Sequence, residues 1–374
     1  MIYLDNAATG GEKPAAVQSA VLASLRLCAN PGRSGHDLSI AAAERVLRCR
    51  HALCELFDGY AFDRVVFTKN CTEALNLALL GTLHAGDHVV TTCLEHNSVL
   101  RPLEFLHRTR NVDYDVAPLT DGKITPQSVA ALVKSNTRIV CVTSASNVTG
   151  EAPDLTGIRA CLPEDVLLFV DGAQGAGHLP LRMKETGIDA LALAGHKGLF
   201  AIQGAGALLF SERVEIDPVL HGGTGSESHS LAMPIFYPDR LESGTLSYPA
   251  VCSLYEGALI VRAHREEYAR RLTELTKTVY DALRRLKGYR SYFQPNACGI
   301  TAFSHDAFPS ETLAMMLNER KIAVRGGLHC APLAHRALGT FPDGLVRASF
   351  SPLQDERQAY ALIDALEDVA ATSS

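Results

Sequence analysis

A lysine in the sequence AGHKG at 194–198 has the surroundings of a covalent catalyst. The apolar run Ala190–Ala194 predicts a buried strand, so Lys197 falls at the carboxyl end of that strand on a turn flanked by glycines. Ligands of α/β folds bind at the carboxyl ends of parallel strands. An amine that is held there and partly desolvated can be neutral and can attack a carbonyl group. Taken alone, a lysine in such a motif is more often a solvated loop lysine.

An aspartate follows a second apolar run in the same way. The sequence VDGAQ at 170–174 places Asp171 at the end of the run Val166–Asp171, with Gln174 just beyond it. A carboxylate buried at a strand end needs a cationic or hydrogen-donating partner. The protonated nitrogen of a pyridine ring is such a partner. The alternative is a helix N-cap for the turn that follows.

Two further polar positions come directly after predicted strands. The sequence TKNCTEALN at 68–76 passes from a strand into a helix near Thr72, and the first turn of a helix offers free N–H groups to a phosphate. The sequence LEHNS at 94–98 places His96 after the run His88–Thr92. An imidazole there can lie flat over a ring and move protons. Each motif also has an ordinary structural interpretation, as a helix start and as a structural histidine.

Together these four motifs describe one kind of site. They supply a phosphate cradle, a stacking ring, an acid for a pyridine nitrogen and an amine that bonds to a carbonyl. All four are expected at the same edge of a parallel sheet. The sequence therefore predicts pyridoxal 5′-phosphate (PLP) as the cofactor.

Apolar runs without polar alternation predict strands that are buried on both faces of a sheet. The candidate strands are Arg64–Thr68, His88–Thr92, Arg138–Thr143, Val166–Asp171, Ala190–Ala194 and Ala205–Phe210. Helix-like stretches separate the early strands, which predicts a parallel sheet with right-handed crossovers. These stretches are Thr72–His84, Ser98–Thr109 and Pro126–Ser135.

The second half of the chain has a different pattern. Residues 221–247 are rich in Gly, Ser and Pro and predict a long functional loop. A long helix over Val251–Leu286 and a final helix near 355–370 are expected in a second domain.

The composition excludes several classes of protein. The 374 residues are 47% apolar and 20% charged, which is typical of a globular protein with a buried core. With 35 basic and 41 acidic residues and no basic stripe, nucleic acid is not an expected partner. No window approaches the roughly 18 apolar residues of a membrane span, and the residues MIYLDNAAT at 1–9 lack the pattern expected of a signal peptide. We expect a cytoplasmic protein that does not enter membranes.

The ten cysteines are scattered without CxxC pairs, and several lie in apolar runs. This favours free, buried thiols in a reducing compartment over disulfides. Cys93 and His96 have the spacing of one pair of zinc ligands, but no second pair lies at a suitable distance. No metal site is predicted.

Five short motifs spread over most of the chain also resemble a known family. They are YLDNAAT at 3–9, NPGRSGH at 30–36, DGAQ at 171–174, GHK at 195–197 and ESGT at 242–245. This combination resembles the cysteine desulfurase and selenocysteine lyase group of class V aminotransferase-fold enzymes, from residue 3 to about 350.

The resemblance implies an α/β protein with the PLP-dependent transferase fold of type I. The large PLP-binding domain would span residues 12–247 and contain a mainly parallel, seven-stranded sheet. A smaller α+β domain would span residues 248–374 and carry the catalytic cysteine, and residues 1–11 could pack on it.

The resemblance also implies roles for the cofactor-binding residues. Lys197 would form the covalent link to PLP, His96 would stack on the pyridine ring, and Asp171 would pair with the ring nitrogen. Gln174 would contact the ring hydroxyl, with Asn147 nearby at the substrate.

The same resemblance implies which residues bind the phosphate and the substrate. Thr72 and His196 would hold the phosphate beside Cys71, joined by Thr245 from a second subunit, which implies a homodimer with shared active sites. Arg347 would clamp the substrate α-carboxylate, a task suited to a guanidinium. The remaining substrate contacts implied by the family motifs are His36 and Arg325.

A cysteine decides the reaction type. The sequence RGGLHCAP at 325–332 resembles the family segment whose thiol accepts sulfur, which implies that role for Cys330. The attacking species must be a thiolate, and His329 or the cofactor site could favour it. The alternative is one more buried cysteine. The segment is too short for a long mobile loop, which favours transfer of the sulfur to a dedicated acceptor protein.

The expected activity is therefore a PLP-dependent cysteine desulfurase that converts L-cysteine to L-alanine and leaves a persulfide on Cys330. Selenocysteine lyase, with L-selenocysteine as substrate, is the nearest alternative. A class V aminotransferase or another lyase acting on a different amino acid is a second. A protein that only carries persulfide would need no PLP site.

Three positions depart from the family pattern. Ala194 replaces a common serine, and Cys71 replaces the first of two threonines, so two hydroxyl groups near the phosphate are missing. After VRAS at 346–349 the family commonly has Tyr-Asn, whereas this chain continues with FSPL at 350–353. Substrate preference is therefore less firmly implied than the cofactor.

Overall fold

The computed structural model describes residues 1–27, 29–32 and 34–372. Cys28 and Arg33, the latter within the motif at 30–36, lie outside the described residues. The strands are β1 (Ile2–Tyr3), β2 (Val65–Thr68), β3 (His88–Thr92), β4 (Asp113–Ala117), β5 (Thr137–Thr143), β6 (Leu167–Asp171), β7 (Ala190–Ala194), β8 (Gly206–Phe210), β9 (Tyr289–Ser291), β10 (Ile300–His305), β11 (Ile322–Ala323) and β12 (Val346–Ser349). The helices are α1 (Ala15–Ser24), α2 (Asp37–Leu56), α3 (Cys71–Thr82), α4 (Asn97–Arg110), α5 (Pro126–Ala130), α6 (Leu155–Cys161), α7 (Met183–Thr186), α8 (Tyr248–Leu283), α9 (Ser310–Glu319), α10 (Pro332–Ala337) and α11 (Glu356–Thr372).

Seven of the described strands form one sheet in the order β2-β8-β7-β6-β5-β3-β4. From β7 to β4 neighbouring strands are parallel, because a crossover segment connects each of β3, β4, β5 and β6 to the next strand along the chain. The apolar runs are buried on both faces, against one core cluster on each side. The predicted α/β fold with a mainly parallel, seven-stranded sheet is confirmed.

One strand does not follow the predicted parallel arrangement. β8 pairs antiparallel with both β7 and β2. Only residues 195–205 connect β7 to β8, and they contain turns but no helix. A parallel neighbour needs a crossover of a dozen or more residues, so this short connection returns the chain in the opposite direction.

Two local predictions differ from the structure. The edge strand β4 was not predicted, since its sequence DYDVA is half-exposed and carries two aspartates. The helix expected over Pro126–Ser135 ends at Ala130. After the helix the chain turns toward β5, and Lys134 N donates a hydrogen bond of 2.7 Å to Thr137 Oγ1 at the start of that strand.

The predicted loop over residues 221–247 is confirmed and contains neither helix nor strand. The long helix lies three residues earlier than predicted, as α8, and the final helix is α11. Within the described part of the chain, no helix combines the length and the apolar character needed to cross a membrane.

Two small sheets complete the fold. β12, β10 and β9 form an antiparallel sheet, and β1 pairs parallel with β11. The N-terminal residues thus pack against strands from the end of the chain. The division into domains at residues 12–247 and 248–374 stays a prediction.

A buried ion pair ties the long loop to the large sheet. The Arg50 guanidinium lies 2.6 Å from the Glu242 carboxylate, and both side chains are 7% exposed. Glu242 Oε1 also accepts a hydrogen bond of 2.6 Å from Phe67 N in β2. Glu242 is the first residue of the ESGT motif. The contacts of its carboxylate with Arg50 and β2 therefore anchor this motif to the large sheet.

Removal of the Glu242 carboxylate should destabilise the fold. Glu242→Ala leaves the Arg50 charge buried without its carboxylate, with the neutral carbonyl of Val65 as the remaining hydrogen-bond acceptor, and such a change costs about 3–5 kcal/mol. We expect a lower free energy of unfolding in urea denaturation. Glu55→Ala removes an exposed pair with Arg262 and serves as the control, because exposed pairs contribute little. Equal midpoints for the two variants would contradict the role of the buried pair.

Candidate functional site

The carboxyl ends of β3, β5, β6 and β7 open into a cleft of about 230 Å³. The predicted residues that line the cleft are Cys71, Thr72, His96, Asn147, Asp171, Gln174, His196, Lys197, Arg325 and Arg347. The structure thus brings together residues that are up to 276 positions apart.

Lys197 lies three residues after β7, on a turn that the packing defines closely. A side chain at Gly198 would collide with the carbonyl oxygen of Ala176, so only glycine fits after the lysine. Burial lowers the pKa of the Lys197 amine, while the charge of Asp171 acts in the opposite direction. No hydrogen bond from the described residues reaches the amine, which is therefore available to a ligand in the cleft.

Asp171 ends β6 and is 2% exposed. Its Oδ1 accepts hydrogen bonds from Ala173 N at 2.8 Å and from the Cys71 thiol at 3.2 Å. Ser144 N and Oγ bond to its backbone carbonyl. The carboxylate is thus fixed at the floor of the cleft.

His96 is the N-cap of α4, and its Nδ1 accepts a hydrogen bond from Ser98 N at 3.0 Å. Burial lowers its pKa, with Asp171 opposing the shift. A neutral ring that accepts at Nδ1 carries its proton on Nε2. Ser98 Oγ lies 2.8 Å from both His96 Nδ1 and Thr72 Oγ1, so one hydroxyl group links the ring to the start of α3.

His196 and Gln174 are held by the N-terminal segment. His196 Nδ1 lies 3.0 Å from Thr9 Oγ1, and Gln174 Nε2 donates to the carbonyl of Ala7 at 3.0 Å. Burial lowers the pKa of His196 to about 4, so its ring is neutral. The YLDNAAT motif at 3–9 therefore orients two of the predicted cofactor ligands.

Asn147 connects three parts of the site. Its Nδ2 donates to the carbonyl of His329 at 2.8 Å, and its carbonyl accepts from Arg347 Nη1 at 2.9 Å. Its Oδ1 is buried and has no partner among the described residues. An unpaired buried acceptor is costly, which makes this atom available for a ligand in the cleft.

The two predicted substrate arginines differ in their surroundings. Arg347 is 1% exposed and forms an ion pair of 2.9 Å with Asp5, and its Nε has no partner among the described residues. Arg325 is exposed, and no described residue forms a hydrogen bond or ion pair with its guanidinium. The cleft thus contains one anchored and one free guanidinium.

Cys330 is exposed, so the alternative of a buried cysteine is wrong. His329 and Cys330 both adopt left-handed backbone, with φ of 49° and 59°, which costs about 1–3 kcal/mol for each residue. Hydrogen bonds from the segments that follow β3 and β5 hold this pair. Asn147 Nδ2 bonds the carbonyl of His329, and Asn97 N bonds the carbonyl of Cys330 at 2.7 Å.

His329 was one of two groups expected to favour the Cys330 thiolate, but its ring carries no positive charge. The histidine is 3% exposed, and burial lowers its pKa to about 2. A neutral imidazole gives no charge stabilisation to a thiolate.

Three predicted residues lie outside the lining of the cleft. Cys330 lines an adjacent groove that shares Thr72, His96 and Ser98 with the cleft, so it stands at the cleft's mouth. Thr245 is exposed and lines a separate groove. His36 is exposed and caps α2 by accepting from Ser39 N, so its substrate role stays a prediction.

Sequence reasoning missed Ser98, Asn97 and Asp5, which position other groups in or beside the cleft. Ser98 and Asn97 lie in the LEHNS motif and Asp5 in YLDNAAT, so each was within a recognised segment. Their roles depend on contacts between distant parts of the chain, and local pattern does not show those.

The residues of the cleft fit PLP. Asp171 offers a fixed carboxylate for a pyridinium proton, and the Lys197 amine receives no hydrogen bond from the part of the chain that the structure describes. Thr72 and the first turn of α3 offer donors for a phosphate. Asn147 Oδ1, which lacks a partner, can accept from a ligand hydroxyl.

The comparison with known proteins defines the class. The sequence model of the family "Aminotransferase class-V" matches residues 2–362, and the chain belongs to that family. "Probable cysteine desulfurase" of Aeropyrum pernix is 32% identical over 100% of this chain and 95% of its own length. Cysteine desulfurase CsdA of Escherichia coli is 30% identical over 98% and 93%. The solved structure of a cysteine desulfurase from Thermococcus onnurineus NA1 superposes with a TM-score of 0.91, at 28% identity over 99% and 95% of the two chains.

Glu95, next to His96, should make stability depend on pH. It is fully buried, and burial raises its pKa from 4.5 to about 8. The folded protein therefore keeps a proton that the unfolded chain releases above about pH 4.5, so the contribution of Glu95 to the free energy of unfolding falls as pH rises from about 5 to 8.

Glu95→Gln should remove this contribution, so that between pH 5 and 8 its free energy of unfolding falls less, or rises more, with pH than that of the wild type in urea denaturation. Other buried groups keep a pH dependence of their own: Glu151, whose pKa burial raises to about 7, acts in the same direction as Glu95, whereas His196 and His329, whose pKa values burial lowers, act in the opposite one. Glu55→Gln, at an exposed position, is the control and should leave the slope unchanged. An unchanged slope in Glu95→Gln would show that the carboxyl group is ionised in the folded protein.

Proposed function

We propose that this protein is a PLP-dependent cysteine desulfurase. It converts L-cysteine to L-alanine, transfers the sulfur to Cys330 as a persulfide and passes it to an acceptor. The observation that carries this proposal is the joint placement of a free Lys197 amine and a fixed Asp171 carboxylate in a cleft with Cys330 at its mouth. Relatives that cover nearly the whole chain are named cysteine desulfurases.

PLP, when bound, withdraws electrons from the substrate Cα and so labilises the proton there. Asp171 keeps a proton on the pyridine nitrogen. Thr72, His196 and the start of α3 hold the phosphate, and His96 covers the ring. Gln174 and Asn147 contact the ring hydroxyl and the substrate.

Lys197 removes the Cα proton, because its lowered pKa leaves a usable fraction of neutral amine. The Cys330 thiolate then attacks the substrate sulfur. One S–S bond forms and the Cβ–S bond breaks; sulfur is oxidised while carbon is reduced. His96, with its proton on Nε2, moves protons between the reacting atoms.

The substrate carboxylate requires a cation. Arg347 is already paired with Asp5, whereas Arg325 is free. We propose that the two bind the carboxylate together, with Arg347 as the fixed point and Arg325 closing over it. Such a pair of guanidinium groups matches the geometry of a carboxylate.

The reaction products test the function. With L-cysteine and a reductant, the PLP-loaded protein should release alanine and sulfide in equal amounts. Sulfide with pyruvate would indicate elimination, a dependence on keto acid would indicate an aminotransferase, and activity only with L-selenocysteine would indicate a lyase. Each of these three results would overturn the proposed reaction.

In the same assay, Cys330→Ala should lower alanine and sulfide release by about two orders of magnitude or more. It should keep the cofactor absorbance, because Lys197 is untouched. Cys161→Ala removes the other exposed free cysteine among the described residues and should leave the rate unchanged.

We also propose a homodimer in which Thr245 reaches the phosphate site of a second copy. The loop at 221–247 and the residues before it expose apolar side chains, with Leu231 and Ile235 the most exposed, and such patches mark interaction sites. Thr245 lies away from the cleft of its own chain. The thiol chemistry requires a reducing compartment, and we propose the cytoplasm.

The mass in solution tests the dimer. Sedimentation should give about twice the chain mass of 40.2 kDa. Ile235→Asp should weaken the dimer and the affinity for PLP together. Met315→Asp alters an exposed apolar side chain on α9 and should change neither. A monomeric wild type that binds PLP normally would overturn the shared site.

A further inference from the structure

Cys71 has a contact that its expected role at the phosphate does not explain. It is the first residue of α3 and is 7% exposed. Its sulfur lies 3.2 Å from Asp171 Oδ1, so the side chain bonds the carboxylate that faces the pyridine nitrogen in the proposed function.

The direction of this hydrogen bond is clear. Burial raises the pKa of the Cys71 thiol well above its ordinary value, and the charge of Asp171 raises it further. The sulfur therefore keeps its proton and donates it to the carboxylate. A thiol is a weak donor, but a charged acceptor strengthens the bond.

The two oxygens of Asp171 are not equivalent. Oδ1 accepts from both the Cys71 thiol and Ala173 N. No hydrogen bond from the described residues reaches Oδ2. Two donors on one oxygen, one from α3 and one from the turn after β6, fix the rotation of the carboxylate about its χ2 angle.

We propose that Cys71 is a positioning residue that acts through Asp171. Its thiol occupies Oδ1 and thereby reserves Oδ2 for the proton of the pyridine nitrogen. This inference rests on the proposed use of PLP. Cys71 replaces the first of two threonines that are common in the family. In this proposal its side chain supports the contact of Asp171 with the ring nitrogen and does not bind the phosphate.

The hydrogen bond can be measured without cofactor. In the infrared difference spectrum of cofactor-free wild type against Cys71→Ala, we expect an S–H stretching band at the lowered frequency of a hydrogen-bonded thiol. In Asp171→Ala the same band should move to the frequency of a free thiol. A free-thiol band in the wild type would overturn the proposal.

The effect on the cofactor is measured by titrating cofactor-free protein with PLP and recording absorbance. Cys71→Ala should bind PLP about three- to tenfold more weakly, the effect of one such hydrogen bond, and the absorbance maximum of the bound cofactor should shift. Cys71→Ser retains a donor and should stay within about twofold of wild type.

Cys141→Ala provides the matched control. Cys141 is a fully buried thiol on β5 near Asp171, but no hydrogen bond joins the two side chains. Its removal leaves a similar void and should not shift the absorbance maximum.

If Cys71→Ala binds PLP with wild-type affinity and spectrum, or if Cys141→Ala has the same effect as Cys71→Ala, the positioning role is overturned and the proposed function stands. If the wild type itself does not bind PLP, the proposed function fails, and the positioning role fails with it.

Discussion

The site depends on one buried carboxylate. Asp171 is almost inaccessible to solvent at the end of β6, and an isolated charge at such a depth would be strongly destabilising. Its charge is met by donors from α3 and from its own turn, and by the nearby Lys197 amine. The carboxyl ends of parallel strands lie at the same edge of a sheet. Residues that directly follow different strands are therefore close together in space.

The walls of the cleft come from three distant regions of the sequence. The first ten residues hold Gln174 and His196, the large sheet supplies the floor, and β12 brings Arg347. Asn147 bonds both the Cys330 segment and Arg347. His329 and Cys330 keep their left-handed backbone because hydrogen bonds to the rest of the protein offset the free-energy cost of that conformation.

Much of this arrangement could be predicted from the sequence. Asp171 and Lys197 each follow an apolar run, and His96 follows a run rich in β-branched residues; buried parallel strands produce both patterns. The reversal of β8 was not predicted, since a buried antiparallel strand has the same apolar sequence as a parallel one. The edge strand β4 lacked an apolar signal.

Contacts between side chains were the least predictable part. Nothing in the local sequence of Asp5 indicates an ion pair with Arg347, 342 residues away. The same holds for Arg50 and Glu242. The Cys71 side chain could not be placed either, because the motif fixes the start of the helix but not which neighbour its first side chain meets.

The difference between the two arginines bears on how the family can diversify. Arg347 is tied to Asp5 and Asn147, so its replacement disturbs the N-terminal segment and the centre of the cleft at once. Arg325 has no side-chain partner among the described residues, and its backbone pairs with Arg347 of β12. Mutational drift at Arg325 therefore carries little penalty in folding. The two arginines therefore face different evolutionary constraints: Arg325 can be replaced while the fold is kept, whereas a replacement of Arg347 also disturbs its partners.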